Sequence, residues 1–203
     1  MSIINTYFDK IYYINLEKRN KRNDECLFEL NKHGIIAERF NAIDSSELNI
    51  SGQLGCLMSH LELIKKAKAN NYNTILILED DVIFSNNIND IFIDYINNVP
   101  GDWDMLYFGG NHNTHCGANI TNINEKVIKC YMTYTAHSYA INSNMYDILI
   151  DYISKDITRP IDVIYTDIQK MYNVYSFYPG LTYQRPNYSD IQNDYVDYTK
   201  IIR

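Results

Sequence analysis

The stretch Thr74-Ile-Leu-Ile-Leu-Glu-Asp-Asp81 joins a run of β-branched and aliphatic residues to three consecutive carboxylates. An uninterrupted run of this kind at residues 74–78 predicts a strand that is buried on both faces, as in the central sheet of an α/β protein. The carboxylates follow where that strand should end, and ligands of α/β proteins gather at the carboxyl ends of strands. The stretch therefore predicts a fold class and the position of a polar site.

Three adjacent carboxylates repel each other, and each raises the pKa of its neighbours. A divalent cation removes this conflict, and a ligand set made only of oxygen atoms suits Mg²⁺ or Mn²⁺. Alternate side chains of an extended segment face the same way, so Glu79 and Asp81 can address one ion while Asp80 points elsewhere. The alternative is a solvated acidic turn in which Asp80 or Asp81 acts as a cap.

Outward from this stretch, predicted strands and helices alternate along the chain. Strands are predicted at residues 10–16, 35–43, 104–108, 126–134, 137–141 and 173–178 from β-branched and aromatic runs. Helices are predicted before Gly34 and at residues 53–70, 87–98, 143–153 and 160–172, and residues 111–126 are predicted to form a loop. This alternation predicts a layered α/β fold with a mainly parallel central sheet.

Composition limits the domain count and the kind of partner. The chain has 203 residues without a repeat or a linker-like segment, which predicts one domain over residues 1–203. A net charge of −7 argues against a general nucleic-acid binder. No apolar run approaches the roughly 20 residues of a transmembrane helix. Neither a Gly-x-Gly-x-x-Gly motif nor a P-loop is present, so a Rossmann dinucleotide site and a P-loop nucleotide site are not expected.

The expected compartment is the cytoplasm. The first residues have neither the basic region nor the apolar region of a secretory signal. Cys26, Cys56, Cys116 and Cys130 lie far apart and are expected to be reduced. The abundance of Tyr (19 residues), Asn and Ile indicates an AT-rich genome, such as that of a large DNA virus or a low-GC bacterium. For a viral protein the expected location is the host cytoplasm or the virion.

An ordered set of short motifs resembles glycosyltransferase family 25, which includes lipooligosaccharide and procollagen galactosyltransferases. Each motif alone is weak, but together they keep the family's order over nearly the whole chain. The motifs are Tyr13-Ile-Asn-Leu-Glu-Lys-Arg19 with Arg22, Gly55-Cys-Leu-Met-Ser-His60, Ile77-Leu-Glu-Asp-Asp-Val82, Trp103-Asp104 with Gly109, Ala136-His-Ser-Tyr-Ala140, Pro160-Ile-Asp162, Pro179, Gln184 and Ser189-Asp190-Ile191. The family's His-Ala-Tyr stretch here has serine as its middle residue, Ser138, and animal relatives have histidine near Gln184.

The resemblance implies a GT-A-like fold that transfers a sugar, typically galactose, from a UDP-sugar with inversion. The implied cofactor is Mn²⁺ or Mg²⁺, and the implied acceptor is a hydroxyl of a glycan or glycoprotein. The sequence names neither the acceptor nor the donor sugar, because sugar discrimination depends on a few hydrogen bonds.

The resemblance also implies roles for particular residues. Asp81 is the expected direct metal ligand, with Glu79 and His137 completing the metal set, while Gln184 keeps the third ligand open. Asp162 is the expected base that deprotonates the acceptor hydroxyl, with Asp104 as its competitor. His60 is expected to be a buried structural group. The expected donor-binding residues are Asn15, Leu16, Arg22, Glu79, Asp80, Asp104, Gly109 and Gln184.

Two other functions remain open from sequence. A metal-dependent phosphohydrolase or nuclease could use the same carboxylates, although no spaced acidic set supports a second metal ion. A non-catalytic relative that binds UDP or a sugar without turnover would retain the motifs and lack the reaction. Release of phosphate from simple phosphoesters would indicate the first of these, and UDP binding without turnover the second.

Overall fold

The computed structural model describes residues 2–113, 120–189 and 194–197. Cys116, together with Asp190 and Ile191 of the closing motif, lies outside the described residues. In chain order the elements are α1 (Ile4–Tyr7), β1 (Lys10–Asn15), α2 (Asn20–Lys32), β2 (Glu38–Asn41), α3 (Ser45–Leu48), α4 (Gly52–Ala69), β3 (Thr74–Glu79), β4 (Val82–Phe84), α5 (Ile88–Ile96), β5 (Met105–Tyr107), β6 (Thr121–Asn122), β7 (Val127–Lys129), β8 (Ser138–Asn142), α6 (Tyr146–Lys155), α7 (Ile161–Met171), β9 (Val174–Phe177), β10 (Thr182–Gln184), β11 (Asn187–Ser189) and β12 (Asp194–Val196).

The centre of the fold is an eight-stranded sheet in the order β2-β1-β3-β8-β5-β9-β7-β6. Strands β1, β2, β3, β5, β6 and β9 run in one direction, and β7 and β8 run in the other. The predicted α/β layered fold with a mainly parallel sheet is therefore confirmed. The antiparallel insertion of β8 between β3 and β5 has no signal in the sequence, because a buried strand is apolar whichever way it runs.

The predicted buried strand β3 explains the layering. Its residues alternate between two apolar clusters: Ile75 and Ile77 face one cluster, while Leu76 and Leu78 face the other. Residues of α4, α6 and α7 cover the first face, and residues of α1, α2 and α5 cover the second. All four of these β3 side chains are fully buried, as the uninterrupted apolar run predicts.

Several short elements differ from the sequence prediction. The predicted strand at residues 126–134 shrinks to Val127–Lys129, and the predicted strand at 35–43 shrinks to Glu38–Asn41. The strands β4 and β10 were not predicted, because neither lies in an apolar run longer than three residues. They pair with each other outside the main sheet, with Gln184 opposite Val82. This small ribbon brings residues about 100 positions apart to the end of β3.

Helix ends mostly follow the signals in the sequence. Ser51 caps α4 by accepting a hydrogen bond from Leu54 N at 3.1 Å. Gly34 ends the turn after α2 with a φ of 64°, which glycine adopts without strain. No helix among the described residues is long and apolar enough to cross a bilayer.

Candidate functional site

A cavity of about 410 Å³ opens where β1 and β3 end. Its walls come from the ends of these two strands, one face of α4, the start of α7 and the end of β10. Of the predicted site residues it brings together Asn15, Leu16, Arg22, Glu79, Asp80, Asp81, Asp162 and Gln184. The carboxyl-end position follows the general rule for α/β sheets.

Arg22 lies between two of the three carboxylates. Its Nη2 contacts Asp80 Oδ1 and lies 3.1 Å from Asp81 Oδ2. Asn15 at the end of β1 donates a second hydrogen bond to Asp80, with 2.6 Å between Nδ2 and Oδ2. Asp80 and Asp81 therefore both contact the Arg22 guanidinium, whereas the sequence predicted that Glu79 and Asp81 would face the same way. The cause is that β3 ends at Glu79, so the alternation of an extended strand does not reach the next two residues.

Glu79 faces a different partner, the buried His60 of α4. His60 Nε2 lies 3.3 Å from Glu79 Oε1, and His60 Nδ1 lies 2.7 Å from the Tyr139 hydroxyl. The expectation that His60 is buried is confirmed, since it is 1% exposed. The sequence does not predict its contact with Glu79, because that contact depends on how α4 packs on the sheet. The four-residue spacing of Cys56 and His60 indicates only that both lie on one face of α4.

Electrostatics distinguish these carboxyl groups. Burial, followed by the charge of Glu79, raises the pKa of Asp81 to about 7. Burial also raises the pKa of Asp80, against the opposing charge of Arg22. Burial acts to raise the pKa of Glu79 as well, but the hydrogen bond and charge of His60 outweigh it and the pKa is lowered. The pKa of Glu79 is thus lowered, whereas the pKa values of Asp80 and Asp81 are raised.

The motif Gly55-Cys-Leu-Met-Ser-His60 has a local structural cause. A Cβ on Gly55 would stand 3.0 Å from Ile43 O, so glycine lets α4 approach the turn before α3. Ser59 Oγ donates to Gly55 O at 2.7 Å and accepts from Ile43 N at 2.9 Å. Gly55 and Ser59 hold the turn against α4, while Cys56 and His60 line the cavity.

Asp162 lies in the first turn of α7 and lines the same cavity. Its Oδ1 accepts from its neighbour Val163 N at 2.9 Å, and its Oδ2 accepts from Thr135 N at 3.3 Å. Burial raises the pKa of this carboxyl group, and its hydrogen bonds oppose the rise. A carboxylate held by backbone amides, with a raised pKa and access to a cavity, has the properties of a general base.

Gln184 and Asp81 face the cavity from the β4–β10 side. Arg185 N donates to Asp81 O at 2.7 Å, and the Arg185 side chain pairs with Glu25 Oε2 of α2 at 3.0 Å. Within the described chain, Asp81 Oδ1 and Gln184 Oε1 are buried oxygens without a hydrogen-bond partner. Arg185 was not predicted from sequence, because its role depends on the non-local pairing of β10 with β4.

The structure does not bring three predicted residues to the cavity. Asp104 precedes β5, at the amino ends of the parallel strands and away from the cavity, where its Oδ2 accepts from Asn173 N at 2.8 Å. Gly109 packs on β10, since a Cβ there would stand 2.2 Å from Thr182 O. Their positions give no support to the predicted donor contacts.

His137 is the third of these residues. It is fully buried, its Nε2 lies 3.3 Å from Thr182 Oγ1, and burial lowers its pKa to about 4. Its carbonyl accepts from Glu79 N at 2.8 Å, so the backbone of His137 holds the end of β3 in place. This position gives no support to its predicted role as a metal ligand.

Comparison with known families decides the wider assignment. Residues 50–165 match the model of glycosyltransferase family 25, described as an LPS biosynthesis protein family. The chain belongs to glycosyltransferase family 25. The matched range covers more than half of the chain and includes α4, the acidic end of β3 and the start of α7.

Curated relatives in family 25 are similar over about half of this chain. A glycosyltransferase 25 family member of Aedes aegypti is 27% identical over 125 residues, covering 49% of this chain and 21% of the relative. Procollagen galactosyltransferase 2 of Homo sapiens is 26% identical over 129 residues, covering 50% of this chain and 21% of the relative. The chain thus spans about a fifth of the length of these relatives.

A solved structure shares the fold. The crystal structure of a glycosyltransferase involved in the glycosylation of the major capsid of PBCV-1 superposes with a TM-score of 0.55. The superposition covers 91% of this chain and 95% of that chain, with 11% sequence identity. The family 25 chain therefore has the GT-A-like fold that its motifs implied.

Proposed function

We propose that this glycosyltransferase transfers a sugar, most simply galactose, from a UDP-sugar to a hydroxyl of a glycan or glycoprotein, with inversion and with Mn²⁺ or Mg²⁺ as cofactor. The observation that carries the proposal is that one cavity is lined both by an acidic strand end with unsatisfied oxygens and by Asp162. Family membership supplies the reaction class, and the residues of the cavity supply the proposed roles.

The oxygens in the cavity fit a hard divalent cation. Asp81 Oδ1 and Gln184 Oε1 make no hydrogen bond of their own among the described residues, although the Gln184 amide acts to lower the pKa of Asp81; unpaired buried oxygens are costly unless something binds them. Carboxylate and amide oxygens are ligands that Mg²⁺ and Mn²⁺ accept. Asp81 and Gln184 would hold the ion, which when bound offsets the negative charge of the departing diphosphate.

Arg22 is the proposed partner of the donor diphosphate. Its Nη2 atom contacts Asp80 and Asp81, while its buried Nε has no acceptor in the part of the chain that the structure describes. A guanidinium can bind a phosphate oxygen through an unused N–H without giving up all of its carboxylate contacts. Arg22 would thus offset part of the negative charge of both the acidic strand end and the diphosphate.

Asp162 is the proposed base. It would accept the proton of the acceptor hydroxyl as that oxygen bonds to the anomeric carbon, while the bond from the anomeric carbon to the phosphate oxygen breaks and its electron pair leaves with UDP. The carboxylate keeps both backbone hydrogen bonds in this role, so it needs no rearrangement before reaction.

The test measures UDP release by the purified protein from a panel of UDP-sugars with Mn²⁺ or Mg²⁺, with and without glycan acceptors. We expect release that depends on the metal and on one preferred donor, and a loss of about 100- to 10,000-fold in Asp162→Asn. Asp167→Asn is the matched control, because Asp167 is on the same helix and pairs with Arg159 and Lys170 at the surface.

The outcomes separate the alternatives. UDP binding without turnover for any donor, with Asp162→Asn unchanged from wild type, would indicate a non-catalytic relative and refute the transferase. Phosphate release from simple phosphoesters would indicate a phosphohydrolase instead. Equal losses in Asp162→Asn and Asp167→Asn would remove the specific role of Asp162.

A further inference from the structure

We propose that Cys56, His60 and Glu79 form a binding site for a thiophilic divalent cation, with Zn²⁺ as the best fit. Each residue offers one ligand atom, and these atoms lie within 4.8 Å of one another. All three residues line the cavity, so an ion can reach them from solvent. Sulfur, imidazole nitrogen and carboxylate oxygen together are a donor set typical of zinc.

The separation of two of the ligand atoms already matches a tetrahedral ion. His60 Nε2 and Glu79 Oε1 are 3.3 Å apart. Two bonds of about 2.1 Å at a tetrahedral angle separate their ligand atoms by about 3.4 Å. Cys56 precedes His60 by one turn on α4, so both side chains are on the same face of a rigid helix. The Cys56 sulfur lies within 4.8 Å of both of these atoms, so a small side-chain adjustment would bring it to the Zn–S bond length of about 2.3 Å.

The surroundings of His60 orient it as a ligand. Its Nδ1 lies 2.7 Å from the Tyr139 hydroxyl, which lies 3.0 Å from the Tyr165 hydroxyl. Without an ion, Nε2–H donates to Glu79 and, against the opposing effect of burial, lowers the pKa of that carboxyl group. With Nδ1 donating to Tyr139 instead, the lone pair of Nε2 points toward the Glu79 carboxylate, and a cation bound between the two atoms would replace this hydrogen bond. Metal-binding histidines almost always have such a partner on the second ring nitrogen. The competing tautomer, with Nε2–H donating to Glu79, requires no ion.

This site differs in chemistry from the oxygen ligands of Asp81 and Gln184. A thiol and an imidazole favour zinc or cobalt, whereas carboxylate and amide oxygens suit magnesium and manganese. The cavity is also acidic, because Glu79, Asp80, Asp81 and Asp162 outnumber the lining residues Arg19 and Arg22. A net negative cavity raises the local concentration of cations. The inference does not depend on the proposed transfer reaction, since binding of zinc can be measured without a donor sugar.

The experiment titrates the full chain with Zn²⁺ against a chromophoric chelator, and separately with Co²⁺ while the absorption spectrum is recorded. We expect one zinc ion per chain, and with cobalt an intense thiolate charge-transfer band in the near ultraviolet. Cys56→Ser should remove the charge-transfer band, and His60→Gln should weaken zinc binding by more than about 10-fold. Cys26→Ala, a buried cysteine on α2, is the matched control and should keep both signals.

A substitution behind the ligands tests their orientation. Tyr139→Phe keeps the ring and removes only the hydroxyl next to His60 Nδ1, so we expect zinc binding about 10- to 100-fold weaker, with the cobalt–thiolate band retained at saturation. Circular dichroism of each variant establishes that it is folded. Zinc binding that is equally tight in wild type and in the Cys56→Ser/His60→Gln double variant would overturn the proposal. A cobalt complex of the wild type without a thiolate band would also overturn it, because His60 and Glu79 would then be only a hydrogen-bonded pair.

Discussion

Asp81 and Asp104 both adjoin buried apolar strands, yet their surroundings differ. Asp104 precedes β5, and both of its oxygens accept hydrogen bonds: Oδ1 from Asn144 Nδ2 at 2.6 Å and Oδ2 from Asn173 N at 2.8 Å. Asp81 follows β3, where Arg22 contacts one oxygen and the other has no donor among the described residues. A carboxylate with all its bonds made holds the chain together, whereas one with an unused oxygen can bind a ligand.

The direction of the strand explains the difference. The amino end of β5 meets the chain entering β9, so backbone amides of neighbouring segments reach Asp104. The carboxyl ends of β1 and β3 open onto the cavity, and the Asp81 side chain lines it while its carbonyl accepts from Arg185 N. Residue type and an adjoining apolar run are therefore insufficient to identify a site, and the end of the strand must also be known.

Among the substitutions that compare the two ends of the strands, Asp81→Asn should have the largest effect. We expect the rate of UDP release to fall about 100- to 1,000-fold, because the substitution removes a charged ligand for the proposed metal ion. The thermal midpoint should stay equal or rise, because burial and Glu79 hold the pKa of Asp81 near 7 and its ionised form is unfavourable in the fold. Initial rates with Mn²⁺ and a thermal melt of the same sample measure both quantities.

If Asp81→Asn lost stability but kept full activity, Asp81 would be a structural residue like Asp104. Asp81→Glu serves as the companion variant, because it keeps the charge and changes only the reach of the carboxylate. Partial activity in Asp81→Glu that requires a higher Mn²⁺ concentration would sharpen the assignment to metal binding.

The fold was largely predictable because its central strands are long enough to show their burial. Strand β3 carries six residues, of which four are fully buried, and the helix that became α4 was predicted to within one residue at each end. The strands β4 and β10 were missed because neither lies in an apolar run longer than three residues. Their pairing depends on contacts between residues about 100 positions apart, which a local pattern does not contain.

The candidate site was predictable only in part. The carboxylates at the end of β3 stand together in the sequence, so Glu79, Asp80 and Asp81 could be found directly. His60 contacts Glu79 only because α4 packs on the sheet, and the pairing of His137 with Thr182 depends on the position of β10. Motifs give the identity of such residues, but the side of the strand on which they lie comes from tertiary packing.

Arg22→Gln should give the next largest effect. Without the guanidinium, Asp80 and Asp81 repel each other and also repel a diphosphate, so we expect the KM for the UDP-sugar to rise about 10- to 100-fold. The turnover rate should change less than KM if Arg22 acts in donor binding. Arg159→Gln is the control, because Arg159 pairs with Asp156 and Asp167 outside the cavity. A fall in kcat with an unchanged KM would contradict the binding role.

Gly109→Ala tests the packing of Gly109 against β10, the strand that carries Gln184. A Cβ at Gly109 would stand 2.2 Å from Thr182 O, so the substitution must displace β10, and we expect the free energy of unfolding to fall by about 1–3 kcal/mol. Gly101→Ala is the matched control, since a Cβ there meets no atom within 4 Å. Urea denaturation measures both. Equal stability of the two variants would show that β10 moves freely and does not hold Gln184 in place.

Asp104→Asn should have the smallest effect, and the comparison depends on it. An asparagine at this position keeps one oxygen acceptor and turns one acceptor into a donor, so it loses about one hydrogen bond, worth about 1 kcal/mol of unfolding free energy. Both kinetic constants should equal those of the wild type, because Asp104 lies at the amino ends of the parallel strands, away from the cavity. A large loss of activity with full stability would return Asp104 to the donor site and refute the distinction between the two ends of the strands. Asn144→Ala removes the partner of Oδ1 instead, so a similar small loss of stability there would assign the effect to this hydrogen bond and leave Asp81 as the carboxylate that is free to act.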